Sequence, residues 1–578
     1  MGLSSSLNIG RTALSVSQLA LQVAGNNIAN AATPGYSRQV ADLRPAPGSE
    51  SGGISLGRGV LLGDVRRRVD EALTARLNAS VSRQSDAQQE LDVLSAVETT
   101  LGELSDGDFS SQLAAFFNAW SELGNGTGSE SLVVQQGQRL SSFAHRLRGD
   151  LVDQRTQVDR QFASAVHRAD DLLTQIADLN QAIVRSEIGN ATASSLRDQR
   201  DTALKQLSEL IDVTAVEQPA GNVDVLVGSI PVVLGSQSRG LTLKNDVQPD
   251  GSVRQAIAVT DDLQQLNPES GQIGALLRSR KQAIDRTIDR LDTVVSELIF
   301  QVNRLHSTGT NARGLTSTQG TLSLATPDRS LAMNDPANVS LSGLPFRAVN
   351  GGFLVNVTQS ATGTTQTVRV DVDLDGINSA GEPGFEDDTS AGDITAAINA
   401  IDGLTASLTP TGQLKIDAQA GFEFSFSQDS SGALAVLGVN AYFTGTDASD
   451  VAVRPQLVDS PSGVTTGRLN DGVFVENGTA IGVANLQDAS LTTLSGDTLS
   501  RAWLNQSEQI GAETASARTS EAASTLVRES LESQQAAVSG VSIDEESVNL
   551  LNFQRQYQGA ARFITIVDQL TQTLLSIV

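Results

Sequence analysis

The sequence predicts a multidomain α+β protein, with a helical core built from both ends of the chain and β-rich regions inserted between long helices. Three observations predict this class. The chain has 578 residues, which exceeds the size that one hydrophobic core usually supports. Apolar residues recur at helical spacing at both ends, and the middle of the chain changes to the alternation of β-strands. We therefore expect a discontinuous terminal coiled-coil core, a long-helix bundle and one or more outer β-rich domains.

The first element is a helix that starts near residue 3 and ends before Pro34 and Gly35. Its apolar residues repeat every seven positions, which keeps one apolar seam along the helix and suits it to lengthwise packing on another helix. Its polar residues form one narrow stripe, so the helix requires neighbours on more than one side. The residues of this seam are Leu7, Leu14, Leu21 and Ile28.

The last helix is predicted over residues 543–578, where apolar residues stand three and four positions apart. Ser542 and Glu545 at its start predict a capping box, in which each side chain satisfies a backbone N–H of the other residue. The periodicity alone allows two interpretations of the two ends, an internal helix bundle or an assembly surface for other subunits. The residues of this second seam are Leu550, Phe553, Tyr557, Ala560, Ile564, Val567, Thr571, Leu574 and Val578.

Between these ends, helical and strand patterns alternate in blocks. Helical spacing indicates long helices over 69–120, 130–212 and 272–306, whereas period-two valines predict a small antiparallel β unit near 213–262. A long stretch rich in Gly, Thr, Ser and Asp then shows short alternating strands. The predicted regions are a terminal helical core of 1–40 and 541–578, a long-helix bundle of 41–310 and 470–540, and an inserted β-rich part of 311–469.

The composition excludes several classes of function. With 40 Lys+Arg against 66 Asp+Glu, the formal charge is −26, so the chain lacks the basic face that nucleic acids and anionic membranes require. It has no cysteine, which rules out disulfides and thiolate catalysis. No run approaches the roughly 20 apolar residues of a membrane span, and the N-terminus lacks the pattern of a cleaved secretory signal. With three histidines and no convergent catalytic motif, we expect no enzymatic activity.

One stretch carries ligands suited to a metal ion. Asp371, Asp373, Asp375, Gly376 and Glu382 fit the D-x-D-x-D-G-x5-E calcium loop, in which carboxylates supply the hard oxygen ligands and the glycine makes the turn. The valines before the loop alternate like the inward face of a strand, whereas an EF-hand loop has helices on both sides. The alternative is a strand whose aspartates face solvent. Calcium is thus a candidate cofactor, and no other cofactor is expected.

Both chain ends carry sequence that resembles a known family. The run from Gly25 to Gln39 and the run from Glu545 to Arg562 are similar to the terminal signatures of bacterial flagellar rod, hook and hook-associated proteins. Within that superfamily, the ending Pro-Gly-Tyr-Ser-Arg-Gln of the first run resembles the hook-associated proteins. The motif residues are Asn26, Asn27, Asn30, Pro34, Gly35 and Tyr36.

The resemblance implies a structural protein of the bacterial flagellum that serves motility at the junction of hook and filament. It implies assembly of the paired terminal helices into a ring or helical layer of subunits, in contact with hook protein and a second junction protein. It also implies type III export to the cell exterior without a cleaved signal, with an export chaperone at the C-terminal helix. Two alternatives remain at this point: a hook or distal rod protein, and a secreted calcium-binding β-rich adhesin.

Overall fold

The structure, a computed structural model, describes residues 3–51, 54–102, 107–188, 192–247, 253–470 and 472–577. It confirms the predicted α+β class, with long terminal helices and β-rich regions inserted between helical segments. A π-helical turn, Arg280–Asp285, connects two of the helices. The α-helices are α1 Leu3–Ala29, α2 Glu71–Leu101, α3 Phe109–Gly124, α4 Glu130–Ser186, α5 Ser194–Leu210, α6 Gly271–Ser279, α7 Arg286–Ser307, α8 Val339–Ser342, α9 Ala391–Asn399, α10 Ala433–Val436, α11 Pro455–Asp459, α12 Gly478–Ala484, α13 Leu499–Ser539 and α14 Ile543–Ile577.

The strands form small sheets, and every ladder between described strands is antiparallel. The strands are β1 Gln39–Pro45, β2 Ser49–Ser51, β3 Ile54–Leu56, β4 Val60–Arg67, β5 Thr214–Glu217, β6 Val223–Val227, β7 Ile230–Leu234, β8 Gln237–Ser238, β9 Leu241–Val247, β10 Val253–Val259, β11 Gln265–Leu266, β12 Gly309–Thr310, β13 Ser317–Gln319, β14 Gly351–Gln359, β15 Thr364–Val372, β16 Leu404–Leu408, β17 Leu414–Ala418, β18 Phe422–Ser427, β19 Phe443–Thr444, β20 Ala452–Val453, β21 Gly467–Asn470 and β22 Val473–Val475.

The helical block predicted over 69–120 comprises α2 and α3. Helix α2 ends at Leu101, and Gly102 follows it with φ of +55°, a left-handed backbone that glycine adopts without steric cost. Helix α3 begins after Asp108, whose carboxylate caps the helix by accepting the N–H of Ser111 at 2.7 Å.

None of the helices in the described part of the chain is long and apolar enough to cross a membrane.

The chain divides into two compact units. Unit 1 comprises Met1–Val93, Gln157–Arg280 and Ala515–Val578, and unit 2 comprises Leu94–Thr156 and Lys281–Thr514. The three-region division made from the sequence stays a prediction.

Unit 1 contains the terminal helices α1 and α14 and the small sheets near residues 214–266. The buried amide of Asn180 on α4 fixes one of these sheets to the helix. Its Nδ2 donates to the carbonyl of Val223 at 2.7 Å, and its Oδ1 accepts the N–H of the same residue at 3.0 Å. Elsewhere in the unit, Leu77 and Val81 of α2 pack in a buried cluster with Leu531 of α13.

Unit 2 contains the β-rich region. Strand β14 lies between β15 and β18, and β17 lies between β13 and β16. The inward residues of these sheets, among them Phe353, Phe424 and Ile416, share one buried core. The alternation predicted for residues 311–469 therefore has its usual physical cause, since one face of each sheet is buried.

Unit 2 also holds an aromatic cluster around a buried histidine. The rings of Trp120 and Tyr442 meet edge to face at 5.3 Å between centroids, and His306 lies beside both rings. The Nδ1 of His306 lies 2.7 Å from the carbonyl oxygen of Asn440, and its Nε2 lies 3.1 Å from the backbone nitrogen of Thr465. A neutral ring with the proton on Nδ1 satisfies both partners. Burial lowers the pKa of His306 to about 4, which keeps the ring neutral.

Candidate assembly core at the paired chain ends

Helices α1 and α14 pack along each other as an antiparallel pair. Two contacts define the register: Asn27 donates to Glu546 near one end of the pair, and Gly10 lies against Ile564 near the other. The two contacts are separated by 17 residues on α1 and by 18 residues on α14, which correspond to nearly equal lengths of helix. The two ends of the chain are thus joined side by side within unit 1.

The predicted seam of α1 is half of the seam that the structure shows. Leu7, Leu14, Leu21 and Ile28 are half-buried rather than buried. Between them, in the alternate positions of the same heptad, lie small residues that are buried. These small residues are Gly10, Ser17 and Ala24.

The small residues let the two helices approach closely. A Cβ atom built on Gly10 would lie 2.7 Å from Ile564 Cγ1 and 3.1 Å from Phe563 Cδ1, so a larger residue there would push the helices apart. Glycine, serine and alanine add little to an apolar pattern, so the seven-residue repeat did not predict these positions. A heptad count that accepted small residues in the alternate positions would have found them.

The predicted seam of α14 follows the same spacing over most of the helix. Ala560 and Val567 are buried, and Leu574 is 51% exposed, so it lies outside the buried seam. Val578 lies outside the described residues. The half-buried members of the predicted seam are Leu550, Phe553, Tyr557, Ile564 and Thr571. The role of these residues in assembly stays a prediction.

The asparagine at position 27 is the hub that joins the end of α1 to the rest of the core. Asn27 is fully buried, and its Nδ2 donates to the carbonyl of Gln39 at 2.8 Å and to Glu546 Oε2 at 3.1 Å. Its Oδ1 accepts the N–H of Gln39 at 3.0 Å and the hydroxyl of Tyr36 at 2.8 Å. The amide therefore has two donors and two acceptors satisfied, as a buried amide requires.

The remaining motif residues shape the turn after α1. Asn30 Nδ2 donates to the backbone carbonyl and to the side-chain oxygen of Asn26, at 2.9 and 3.0 Å, which ends the helix. Pro34 is exposed, and Gly35 has φ of +78°, a conformation that favours glycine. Burial, with the nearby carboxylates Asp198 and Glu546, raises the pKa of Tyr36 to about 12, so its hydroxyl keeps the proton that it donates to Asn27.

Glu546 is the second hub and was not among the predicted site residues. It is 3% exposed, and its Oε1 lies 2.7 Å from Nη2 and 2.9 Å from Nε of Arg38. Together with the bond from Asn27, these contacts satisfy a carboxylate that would be costly to bury alone. Asn27, Arg38 and Glu546 form what we call the terminal clamp.

The capping box predicted for α14 forms on one side. The hydroxyl of Ser542 accepts the N–H of Glu545 at 3.4 Å. The carboxylate of Glu545 binds Nη1 of Arg38 at 3.0 Å, because the half-buried arginine presents a charged donor there. The acidic first turn of α14 is the signal that could have pointed to Glu546, since carboxylates are stabilised at a helix N-terminus.

The calcium-loop residues lie in unit 2 after a strand and not after a helix. Asp371 belongs to β15, faces solvent and pairs with Arg369 at 2.5 Å, as the strand interpretation predicts. Carboxylate oxygens of Asp373 and Asp375 lie within 4.8 Å of one another and of a third carboxylate, that of Asp388. Among the described residues, Asp371 and Glu382 do not belong to this group. The calcium loop stays a candidate site and no more.

The third carboxylate lies outside the twelve-residue match. Asp388 is buried, and its Oδ2 accepts Asn334 Nδ2 at 2.7 Å and the N–H of Gly376 at 3.1 Å. Asp388 therefore already has a structural role, because it holds the turn at Gly376 in place. Asp388 lies 12 residues after Gly376 in the chain, and the loop between them folds back so that the two residues meet. The local sequence pattern did not predict this contact.

Comparisons with known proteins agree with the geometry of the ends. Residues 7–36, which cover most of α1 and the turn after it, match the family described as flagella basal body rod protein. Residues 533–577 match the flagellar basal body rod FlgEFG protein C-terminal family. Residues 94–321 match the flagellar hook-associated protein FlgK helical domain. Flagellar hook-associated protein 1 of Escherichia coli (strain K12) is 24% identical over 589 residues and covers 100% of both chains.

Over its whole length, this chain is thus similar to flagellar hook-associated protein 1. The hook-associated protein 1 of Bacillus subtilis (strain 168) is 29% identical over 225 residues, covering 37% of this chain and 44% of that protein. The solved structure of the flagellar hook junction protein FlgK from Burkholderia pseudomallei aligns with 80% of this chain and 100% of that chain, at 16% identity and a TM-score of 0.49.

These findings confirm the resemblance and the structural role in the flagellum that it implied. The rod families match the two ends, whereas the hook-associated helical domain matches the interior, which disfavours the hook or distal rod alternative. The similarity to flagellar proteins supports a location in the flagellum and association with other flagellar components. The relatives are structural proteins, which fits the expected absence of catalysis.

Proposed function

We propose that this chain joins hook to filament as a structural subunit, and that the α1–α14 pair is its assembly core. The observation that carries the proposal is the terminal clamp, which joins two chain ends more than 500 residues apart and includes the motif residue Asn27. A motif whose residues hold the two ends together is expected in a protein that assembles through those ends. The similarity to hook-associated protein 1 over the full length supports the same function.

A second apolar stripe on α14 supports assembly with neighbouring subunits. The stripe, which we call the outer stripe, lies roughly a quarter turn around the helix from the buried seam, as a rotation of about 100° per residue requires. Each of its members is at least 40% exposed. An apolar stripe on an exposed helix is costly in water, and a neighbouring helix is the cover that its three-four spacing fits. The outer stripe consists of Phe563, Ile566, Leu570 and Leu574.

The finer partners follow from the family resemblance. We expect a ring or helical layer of copies of this chain, with hook protein on one side and a second junction protein on the other. We expect an export chaperone to cover α14 before assembly, since the outer stripe would otherwise meet water. Export without a cleaved signal through the type III channel, and the absence of any catalytic function, belong to the same proposal.

The experiment is deletion of the gene, followed by electron microscopy of the cells and assay of the medium. We expect hooks without filaments and filament protein released into the medium, with restoration by the wild-type chain. Normal filaments on the deleted cells would reject the junction function. Cells that lack hooks as well would indicate a hook or rod function instead.

A further inference from the structure

Unit 2 contains a cavity of about 460 Å³ that the assembly function does not use. Its lining includes the apolar side chains of Phe346 and Val436 and the polar side chains of Gln413 and Gln456. Arg454 also lines it. A cavity of this size, lined by both polar and apolar groups, can hold a small organic group.

Arg454 is a buried cation that lacks an acidic partner. It is 8% exposed, and its hydrogen bonds go to neutral acceptors, from Nε to Gln456 Oε1 at 3.1 Å and from Nη2 to the carbonyl of Gln319 at 2.8 Å. Over the ranges that the structure describes, no carboxylate oxygen lies within 4 Å of its guanidinium, and Nη1 has no acceptor in the chain. Burial lowers the pKa of Arg454, because the guanidinium loses hydration.

Such an arrangement is unusual for a buried arginine. A buried guanidinium without a counterion loses its hydration and receives no ion pair in return, so buried arginines are normally paired. The acidic residue Asp450 also lines the cavity, but its Oδ1 accepts the N–H of Thr446 at 2.7 Å and that of Asp447 at 3.1 Å. Asp450 therefore stabilises its own turn. The charge of Arg454 is left for a group that enters the cavity.

We propose that this cavity binds a carboxylate through Arg454, with the carbon atoms that carry the carboxylate against Phe346 and Val436. The planar guanidinium matches a carboxylate in geometry and charge, and the free Nη1 donors are available for that bond. Two sources have this chemistry, a small organic acid and a glutamate or aspartate side chain of a second copy. The second source is plentiful, since each chain carries 66 acidic residues.

The test uses the full chain with hexanoate as the probe and hexanamide as its neutral isostere, in titrations followed by calorimetry and saturation-transfer NMR. We expect saturable binding of hexanoate, at least tenfold tighter than that of hexanamide. Arg454→Gln should weaken hexanoate binding at least tenfold. Arg347→Gln, the same change at an exposed arginine of the same unit, should leave it unchanged. Equal affinity for the two probes, or no saturable binding of hexanoate, would overturn the proposal.

Both tryptophans are buried in unit 2, so their fluorescence would reveal a failure of Arg454→Gln to fold. A second pair of variants keeps the test valid in that case. Ser323 lines the cavity and is exposed, so substitutions there leave the core intact. Ser323→Glu supplies a tethered carboxylate and should weaken hexanoate binding at least fivefold, whereas Ser323→Gln should not. Equal binding by these two variants would also count against the site.

The two sources are distinguished by sedimentation of the wild-type chain with saturating hexanoate or hexanamide. If a second copy supplies the carboxylate, hexanoate should reduce self-association and hexanamide should not. If the ligand is a small acid, hexanoate should bind without changing the association. Either result supports the carboxylate site, and the two results identify its source.

Discussion

Replacing Glu546 with glutamine removes the buried charge of the terminal clamp and leaves the shape nearly unchanged. The side chain of Arg38 is 13% exposed, and that of Glu546 is 4% exposed. The substitution would leave the guanidinium of Arg38 without this buried carboxylate. Removing one member of a buried ion pair costs about 3 kcal/mol. That loss should appear as a roughly hundredfold faster hydrogen exchange of the Gln39 amide, which is held by Asn27 in the same cluster.

Glu545→Gln is the matched control, because it removes a carboxylate from the same arginine at the surface. The side chain of Glu545 is 64% exposed, and an exposed pair contributes at most about 1 kcal/mol. Asn27→Ala should match Glu546→Gln in effect, and the double variant should cost less than the sum of the two by about 1 kcal/mol or more, because the residues share a network. Additive effects, or equal exchange in the Glu545 and Glu546 variants, would refute the clamp.

Three further predictions concern other parts of the molecule. The folded-state pKa of His306 is about 4, below its unfolded value, so its contribution to the free energy of unfolding is complete above pH 6.5 and falls by about 3 kcal/mol as the pH falls toward 4. Tryptophan fluorescence of unit 2 should report this loss of stability, and His306→Asn should remove that part of the pH dependence. Leu570→Glu in the outer stripe should change the stability of the monomer by less than about 0.5 kcal/mol but abolish swimming. Leu526→Glu, at an exposed site on α13, should preserve swimming. Equal motility of the two strains would contradict the role of the outer stripe in assembly. The melting temperature should be the same in calcium and in chelator, because the carboxylate of Asp388 already accepts hydrogen bonds from Asn334 and Gly376. A calcium-dependent rise in melting temperature that Asp375→Asn removes would contradict this expectation.

The sequence was informative where one element carries its own periodicity. The seven-residue repeat from Leu7 to Ile28 and the three-four spacing of α14 predicted helices that pack lengthwise, and the structure shows that packing. The alternating valines before Asp373 predicted a strand, and β15 ends at Val372. In each case a local pattern reports burial on one face, and burial is what the tertiary structure requires.

The sequence was uninformative where a residue depends on distant partners. Asn27 looked like an asparagine that ends a helix, but its buried partners are at Gln39 and Glu546. Gly10 had no apolar signal, although it lies against Ile564 where α1 and α14 approach closely. Arg454 had no local signal at all, because its burial arises from the cavity around it. Long-range pairing of this kind has no period in one sequence and becomes visible only in three dimensions.

The most direct test of the paired ends is a disulfide between them, made in a chain that has no cysteine of its own. With a Gly10 Cβ at 2.7 Å from Ile564 Cγ1, the two Cβ atoms lie no more than about 4.2 Å apart, which fits a disulfide. Gly10→Cys with Ile564→Cys should form an intramolecular bond under mild oxidation, both in the monomer and in isolated flagella. Gly10→Cys with Ile566→Cys, which points away, should not. Absence of the bond in the first pair, or its formation only between chains, would contradict the antiparallel core.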